Sequence, residues 1–145
     1  KAFNKAISNS NQSAMSLSDL FCVERHKEFF LDLVQNKLNI TFANEQEMIA
    51  LTGAKNINDI LKFAETINKL IVITRGENGA LAVLKDEVIE CTAKKNLKIT
   101  DLTGAGDLFA AGFLHGYVNK LSLKKCLEKG TELSSKVIQQ VGARL

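Results

Sequence analysis

Leu70-Ile71-Val72-Ile73-Thr74 is an unbroken apolar run, stopped at once by Arg75-Gly76. A strand apolar at every position is buried on both faces, the situation of a central strand in a parallel sheet covered by helices. Directly before it, Ile57, Ile60, Leu61, Ala64 and Ile67 recur at helical spacing and form the cleanest amphipathic stretch in the chain. A helix feeding a fully apolar strand, within a chain of further helix–strand alternation, predicts an α/β layered fold: a mostly parallel sheet with helices on both faces.

The other elements follow from the same periodicities. Ala14–Leu17 reads as a short strand ending at Ser18-Asp19, with Asp19 as a cap residue, and Ile40–Ala43 as a buried β-branched and aromatic strand. Between them Phe29, Phe30, Leu33 and Val34 predict one helix from Glu24 to Asn36. Asn44 caps a helix with Glu45 and Glu47 in its first turn, ending near Thr52-Gly53. Gly79–Leu84 and Val88–Thr92 flank Lys85-Asp86-Glu87 as a small antiparallel hairpin. A small-residue helix runs to about Asn119, and a last helix from Ser122 to about Gln140 has Leu123, Leu127, Leu133, Val137 and Val141 as core positions. The chain holds no proline, so turn placement rests on Gly, Asn and Asp.

Composition narrows the class. The chain has 145 residues, 46% hydrophobic and 24% charged, the size of one ordinary globular domain. Its net charge of +3 is scattered, with Lys94-Lys95 only a local pair, so no dense basic stripe points to nucleic acid. No apolar stretch approaches the ~18–20 residues that span a bilayer, and the start lacks the charged-then-apolar pattern of a leader, so a cytoplasmic protein is expected. Cys22, Cys91 and Cys126 are far apart with no CxxC spacing, and are expected to be buried reduced thiols. His26 and His115 show no metal-ligand spacing and read as structural or surface residues. Ala2, Phe3, Ala6 and Ile7 recur at helical spacing directly from Lys1, like the tail of a helix that begins elsewhere, so the chain is expected to be a fragment.

The chemistry concentrates at Gly104-Ala105-Gly106-Asp107, ahead of a helix carrying Ala110, Ala111 and Gly112. Two glycines let successive N–H groups point into one concavity, and the helix start adds partial positive charge, so the place suits an anion, above all phosphate. A carboxylate beside such a site opposes binding alone. It fits a residue that accepts a proton from a hydroxyl attacking a bound phosphoryl group. An ordinary N-capping aspartate after a flexible loop explains Asp107 equally well. The dinucleotide fingerprint fails because Phe109 stands at its third glycine, and the P-loop fails because no Lys-Ser/Thr pair follows.

Asp101-Leu102-Thr103-Gly104-Ala105-Gly106-Asp107, running into Leu-Phe-Ala-Ala-Gly-Phe, resembles the second signature of the ribokinase/PfkB family of sugar and nucleoside kinases. Asn44-Glu45-Gln46-Glu47 resembles the family's N-x-x-E, Thr74-Arg75-Gly76 with Gly79 its strand-end T-x-G, and the stretch from Gly130 to Gly142-Ala143 the wall of its nucleotide pocket. Ser16–Val23 together with Phe42–Glu45 is most similar to the bacterial adenosine-kinase-like branch. Leu102 stands where a small polar residue is usual, and Ala43 where many members have proline. The resemblance covers essentially the whole chain, but only the C-terminal half of a family member. Residues 1–145 are therefore expected to be the nucleotide-binding portion of a ribokinase-like domain whose substrate and lid half is absent.

The resemblance implies ATP-dependent transfer to a primary hydroxyl of a sugar or nucleoside, adenosine foremost. Asp107 would be the catalytic base, and the N–H groups of Gly104, Ala105 and Gly106 the anion hole. Asn44 and Glu47 would organise phosphates and Mg²⁺, Glu47 through water; without the resemblance Glu47 reads as a solvated first-turn carboxylate. Thr74 and Gly76 would line the phosphate and ribose side of ATP, at the carboxyl end of a strand, and Thr131 its nucleoside part. Asp101 aligns with a residue near a monovalent-cation (K⁺) site in some members. A ribokinase- or fructokinase-type sugar kinase and a truncated nucleotide-binding module without turnover are the alternatives. Expressed alone, the chain is expected to be inactive and, with a sheet edge uncovered, prone to self-association or homo-oligomer formation.

Overall fold

A computed structural model describes residues 5 and 7–145. The helical periodicity read at Ala2, Phe3 and Ala6 lies outside the described residues. In chain order the elements are β1 (Ala14–Ser16), α1 (Leu20–Arg25), α2 (Lys27–Asp32), a π-helical turn (Leu33–Lys37), β2 (Ile40–Asn44), α3 (Glu45–Thr52) and α4 (Ile57–Thr66). Then come β3 (Leu70–Thr74), a 3-10 turn (Gly76–Asn78), β4 (Ala80–Leu84), β5 (Glu87–Cys91), α5 (Ala105–Val118) and α6 (Leu123–Val137). Five strands order as β1-β2-β3-β4-β5 in one sheet. Ala14, Met15 and Ser16 pair in parallel with Ile40, Thr41 and Phe42, whereas the two residues between β4 and β5 admit only an antiparallel return. The α/β expectation holds, with a mixed sheet that is parallel at its start. Among the described residues no helix is long and apolar enough to cross a membrane.

The chain forms two compact units, Lys1–Ile73 with Val83–Glu87 and Thr74–Ala82 with Val88–Leu145. In the first, Leu70, Ile71, Val72 and Ile73 of β3 are all buried, as an unbroken apolar strand requires. Ile60 and Ala64 carry the buried face of α4, which Asn56 caps by accepting the Asp59 N–H at 3.2 Å. Asp19 caps α1 as expected, accepting from Phe21 and Cys22. The single helix expected from Glu24 to Asn36 is instead two short helices and a wide turn. His26 leaves helical geometry at φ −125°, ψ 32°, and the Leu38 N–H reaches Leu33 O, five residues back, at 2.8 Å. Periodicity alone does not register a one-residue break that leaves the apolar spacing intact.

The second unit is built on α5 and α6, whose close approach is set by small residues. A Cβ on Gly112 would stand 2.6 Å from Lys129 O, and one on Gly130 would stand 2.8 Å from Phe109 O. Cys126, Leu127 and Val137 are buried on α6, while Leu123 and Leu133 are half-buried. Val141, expected in the core, is 83% exposed because α6 ends at Val137. Cys91 and Cys126 are buried as expected and Cys22 is not, since it lies on the outer side of α1. His26 and His115 are both exposed. Left-handed turns fall not only at glycines but also at Ser18, Lys85, Asn96 and Lys120, so two lysines and a serine serve where Gly, Asn or Asp was expected.

Candidate active site

Asp101 to Gly104 is an irregular loop that ends in the first turn of α5. Gly104 is the N-cap, with φ 78°, and a Cβ there would fall 2.6 Å from Ala143 Cβ, so conformation and space both require glycine. With no side chain at the cap, the orphan N–H groups of a helix start have no intramolecular cap to satisfy them. The Ala105 N–H donates to Leu102 O at 3.2 Å and the Leu108 N–H closes the first helical bond on Gly104 O at 2.9 Å. Among the described residues, the N–H groups of Gly104, Gly106 and Asp107 meet no acceptor. Asp107 is not the cap, although in the first turn its charge still suits the helix start. Its exposed carboxylate, in the third helical position, has no hydrogen-bond partner among the described residues.

The loop is tied down by Asp101. Its Oδ1 accepts the Thr103 N–H at 2.8 Å and the Thr103 hydroxyl at 2.7 Å, and its Oδ2 accepts the Gly142 N–H at 2.9 Å. These donors, the Thr103 hydroxyl first, hold the Asp101 carboxyl below the usual carboxylate range.

Within the same unit lies a cavity of about 880 Å³. Five of the predicted residues line it: Thr74, Gly76, Ala105, Gly106 and Thr131. Gly104 and Asp107, next to lining residues in sequence, do not line it, and neither does Asp101. A Cβ on Gly106 would meet nothing within 4 Å, so the wall is open at that point. Thr131 is buried on α6, with its hydroxyl 3.7 Å from Cys91 Sγ, and Ser134, Ser135 and Ile138 continue the same wall. Sequence reasoning missed these three as lining residues, and it missed Lys94, Lys95, Ile99 and Leu102. The signal was present: residues 92–104 form no regular element, and long irregular connections are commonly functional. Leu102, the departure from the family pattern, is 65% exposed at the cavity and is one of its apolar lining groups.

Asn44 and Glu47 come together in the first unit, at the start of α3. Asn44 Oδ1 accepts the Glu47 N–H at 2.8 Å, and Glu47 Oε2 accepts the Asn44 N–H at 2.9 Å, a reciprocal capping box. Glu47 is 5% exposed, so the reading of a solvated carboxylate is corrected: the side chain folds back onto its own cap. Burial pushes its carboxyl above the usual range, the Asn44 N–H opposes that rise, and the charge of Asp19 adds to it. Among the described residues no group of three or more His, Cys, Asp or Glu side chains could hold a metal ion.

The profile of the pfkB family of carbohydrate kinases matches residues 3–145. The chain belongs to this family. It is 38% identical over 112 residues to a cytidine kinase from Thermococcus kodakarensis, an alignment covering 75% of this chain and 40% of that protein. Its structure is similar to that of an adenosine kinase from Sinorhizobium meliloti, with a TM-score of 0.92, 37% identity, and coverage of 99% of this chain and 44% of the other. A probable sugar kinase from Rhizobium etli matches at a TM-score of 0.91 and 37% identity, covering 97% of this chain and 43% of the other. The layered α/β fold of pfkB kinases is thus the fold of this chain, which spans less than half the length of each of these relatives.

Proposed function

We propose that these residues are the nucleotide-binding, C-terminal portion of a cytoplasmic kinase that moves the terminal phosphoryl group of ATP to a primary hydroxyl of a nucleoside or sugar, with adenosine as the first acceptor. The observation that carries the reading is the start of α5. There, uncapped N–H groups and an unpartnered carboxylate share one helical turn beside a glycine-lined cavity. The similarity to an adenosine kinase over 99% of the chain supports the choice of acceptor.

The cavity is roomy enough for a nucleotide, since ligand pockets run to roughly 300–1,000 Å³, and the open face of Gly106 leaves space for a phosphate to approach the backbone. Thr74 and Gly76 would face its phosphate and ribose side and Thr131 its nucleoside part. ATP supplies the phosphoryl group and Mg²⁺ offsets its charge; the remaining work belongs to the chain. The N–H groups of Gly104 and Gly106 would donate to oxygen as negative charge develops there, with the N–H of Asp107 alongside them. That of Ala105 would exchange its 3.2 Å bond to Leu102 O for the same purpose. The Asp107 carboxylate would accept the proton of the attacking hydroxyl, and it is free to do so because no internal donor competes for it.

Asn44 and Glu47 would organise phosphates and Mg²⁺. One carboxylate with a single uncommitted oxygen does not make a metal cage, but it suits a cation that keeps several waters and is held chiefly by the nucleotide. A monovalent cation such as K⁺ beside Asp101 would have to share a carboxylate that already accepts three hydrogen bonds. A sugar acceptor of the ribokinase or fructokinase kind is the second reading, favoured by the likeness to a probable sugar kinase. A nucleotide-binding module without turnover is the third. A coupled ADP-release assay on the full-length polypeptide, offered adenosine, cytidine, ribose and fructose in turn, decides among them. Adenosine-dependent release supports the first, release with a sugar alone supports the second, and ATP binding without release supports the third. Size-exclusion chromatography of residues 1–145 alone is expected to show self-association.

A further inference from the structure

The loop that presents the open N–H groups of α5 has no regular structure of its own, yet it is bonded along its length to the segment that follows α6. Thr100 and Asp101 both donate their N–H groups to Ile138 O, at 2.7 and 3.2 Å, and the Thr100 hydroxyl donates to Gln139 O at 3.2 Å. At the other end Gly104 backs onto Ala143 so closely that a Cβ would stand 2.6 Å from its Cβ. Between these two anchors the Asp101 side chain also joins loop and segment. One oxygen takes the Thr103 N–H and hydroxyl, and the other takes the Gly142 N–H. Gly142 stands at φ 90°, a left-handed conformation that glycine adopts without strain, and this turns its N–H toward Asp101.

We propose that Asp101 is a positioning residue: its carboxylate latches the loop to residues 138–143 and so fixes the direction of the N–H groups that receive the transferring phosphoryl group. The proposal rests on the reading of α5 given above. It adds to that reading a part of the chain that touches no reacting atom. All three groups on the carboxylate are N–H or O–H donors, and each points its positive end at the charge. A cation in the same place would have to displace one of them. Removal of the carboxylate leaves the Thr103 and Gly142 N–H groups without their acceptor and frees both sides of the loop. Misplacement of a reacting geometry by about 1 Å costs on the order of 10²-fold in rate. Ile138 belongs both to the latch and to the cavity wall, so the same contacts align the wall with the phosphoryl site.

The test is steady-state kinetics on the full-length polypeptide carrying Asp101→Ala, Asp101→Asn or Asp107→Asn, with thermal unfolding and a K⁺ titration beside each. The latch predicts that Asp101→Ala lowers kcat about 10- to 100-fold, changes KM for the acceptor less than about three-fold and leaves the unfolding temperature within a few degrees. Asp101→Asn keeps an acceptor for Thr103 and turns an amide toward Gly142, so its kcat should lie between wild type and Asp101→Ala. If Asp101→Ala keeps its kcat while Asp107→Asn loses it, the latch is refuted and the catalytic reading stands. If both variants keep kcat, the catalytic reading has failed and the latch with it. A K⁺ activation that wild type shows and Asp101→Asn loses would make Asp101 a cation ligand and overturn the latch. So would a parallel collapse of kcat, KM and unfolding temperature, which marks general structural damage.

Discussion

Two helix starts in this molecule share a register and resolve it in opposite ways. α3 begins at Asn44 with Glu47 in its third position, and α5 begins at Gly104 with Asp107 in its third position. Every helix start leaves N–H groups without internal acceptors, and a carboxylate three residues in is favourable to the dipole in either case. At α3 the cap residue has a side chain and the carboxylate has one more methylene, so each reaches the other's backbone and the turn closes on itself. At α5 the cap is a glycine, the shorter aspartate makes no return bond, and the N–H groups stay open beside a cavity. A helix start that satisfies itself stabilises the fold; one that leaves donors and a carboxylate unspent has them available for a ligand.

Exchange of the two carboxylates for amides is the sharpest way to break this contrast. Asp107→Asn is expected to cut kcat of the full-length polypeptide by about 10²–10⁴-fold, the usual scale for loss of a general base. ATP affinity by isothermal titration and the unfolding temperature should barely move, because the carboxylate has no internal partner to lose. A variant with most of its kcat intact would make both starts structural and erase the distinction.

The glycines of α5 give the next effect. Gly104→Val places a side chain in a left-handed conformation, at about 1–2 kcal/mol, and drives it into Ala143. Unfolding temperature and activity should fall together. Gly106→Ala meets no neighbour within 4 Å, and it replaces glycine by a better helix former, so stability should hold or rise by up to about 1 kcal/mol. Its methyl group points where the wall is open, so ATP affinity and rate should drop nonetheless. Loss of stability at Gly106, or unaltered ATP binding there, would contradict the picture of an open cradle.

Much of this is legible in the amino-acid sequence. The unbroken apolar run of β3, the amphipathic α4, the Asn44 cap and the glycine pair ahead of α5 are local signals, each set by periodicity or by a single residue's hydrogen-bonding capacity. What could not be read were facts that depend on distant residues. Glu47 reads as a solvated carboxylate from its place in a helix's first turn; its bond back to Asn44 is a local capping box, and what the local sequence does not show is the tertiary packing that buries it. The bond of Asp101 to the Gly142 N–H joins residues 41 positions apart, which no local pattern announces. The Lys94-Lys95 pair is too small a patch for nucleic acid, but a place at the cavity needs no basic stripe. The break at His26 was invisible because it preserves the apolar spacing on both sides.

At α3 the effects are smaller and concern folding. Asn44→Ala removes the acceptor for the Glu47 N–H and should destabilise by about 0.5–2 kcal/mol, read by chemical denaturation. Asn44→Asp keeps the acceptor and should recover most of that loss. If alanine were as stable as wild type, α3 would draw nothing from its cap and the contrast with α5 would rest on burial alone.

Glu47→Gln should give the smallest change in stability, and its pH dependence carries the information. Burial, the largest influence on this carboxyl, raises its pKa in the folded chain above the unfolded value. Between those two values the folded form holds a proton that the unfolded form has released, so stability falls as pH rises through the window. Glutamine has no proton to lose, and its side-chain oxygen still accepts the Asn44 N–H in the same box. The variant should therefore lose that part of the pH slope and, at neutral pH, match or slightly exceed wild type in unfolding temperature. Activity should fall all the same if Glu47 helps to hold hydrated Mg²⁺, which separates its two roles in one protein. An unfolding temperature at neutral pH lowered as far as that of Asn44→Ala would mean that charge, rather than the bond back to the cap, holds the start of α3.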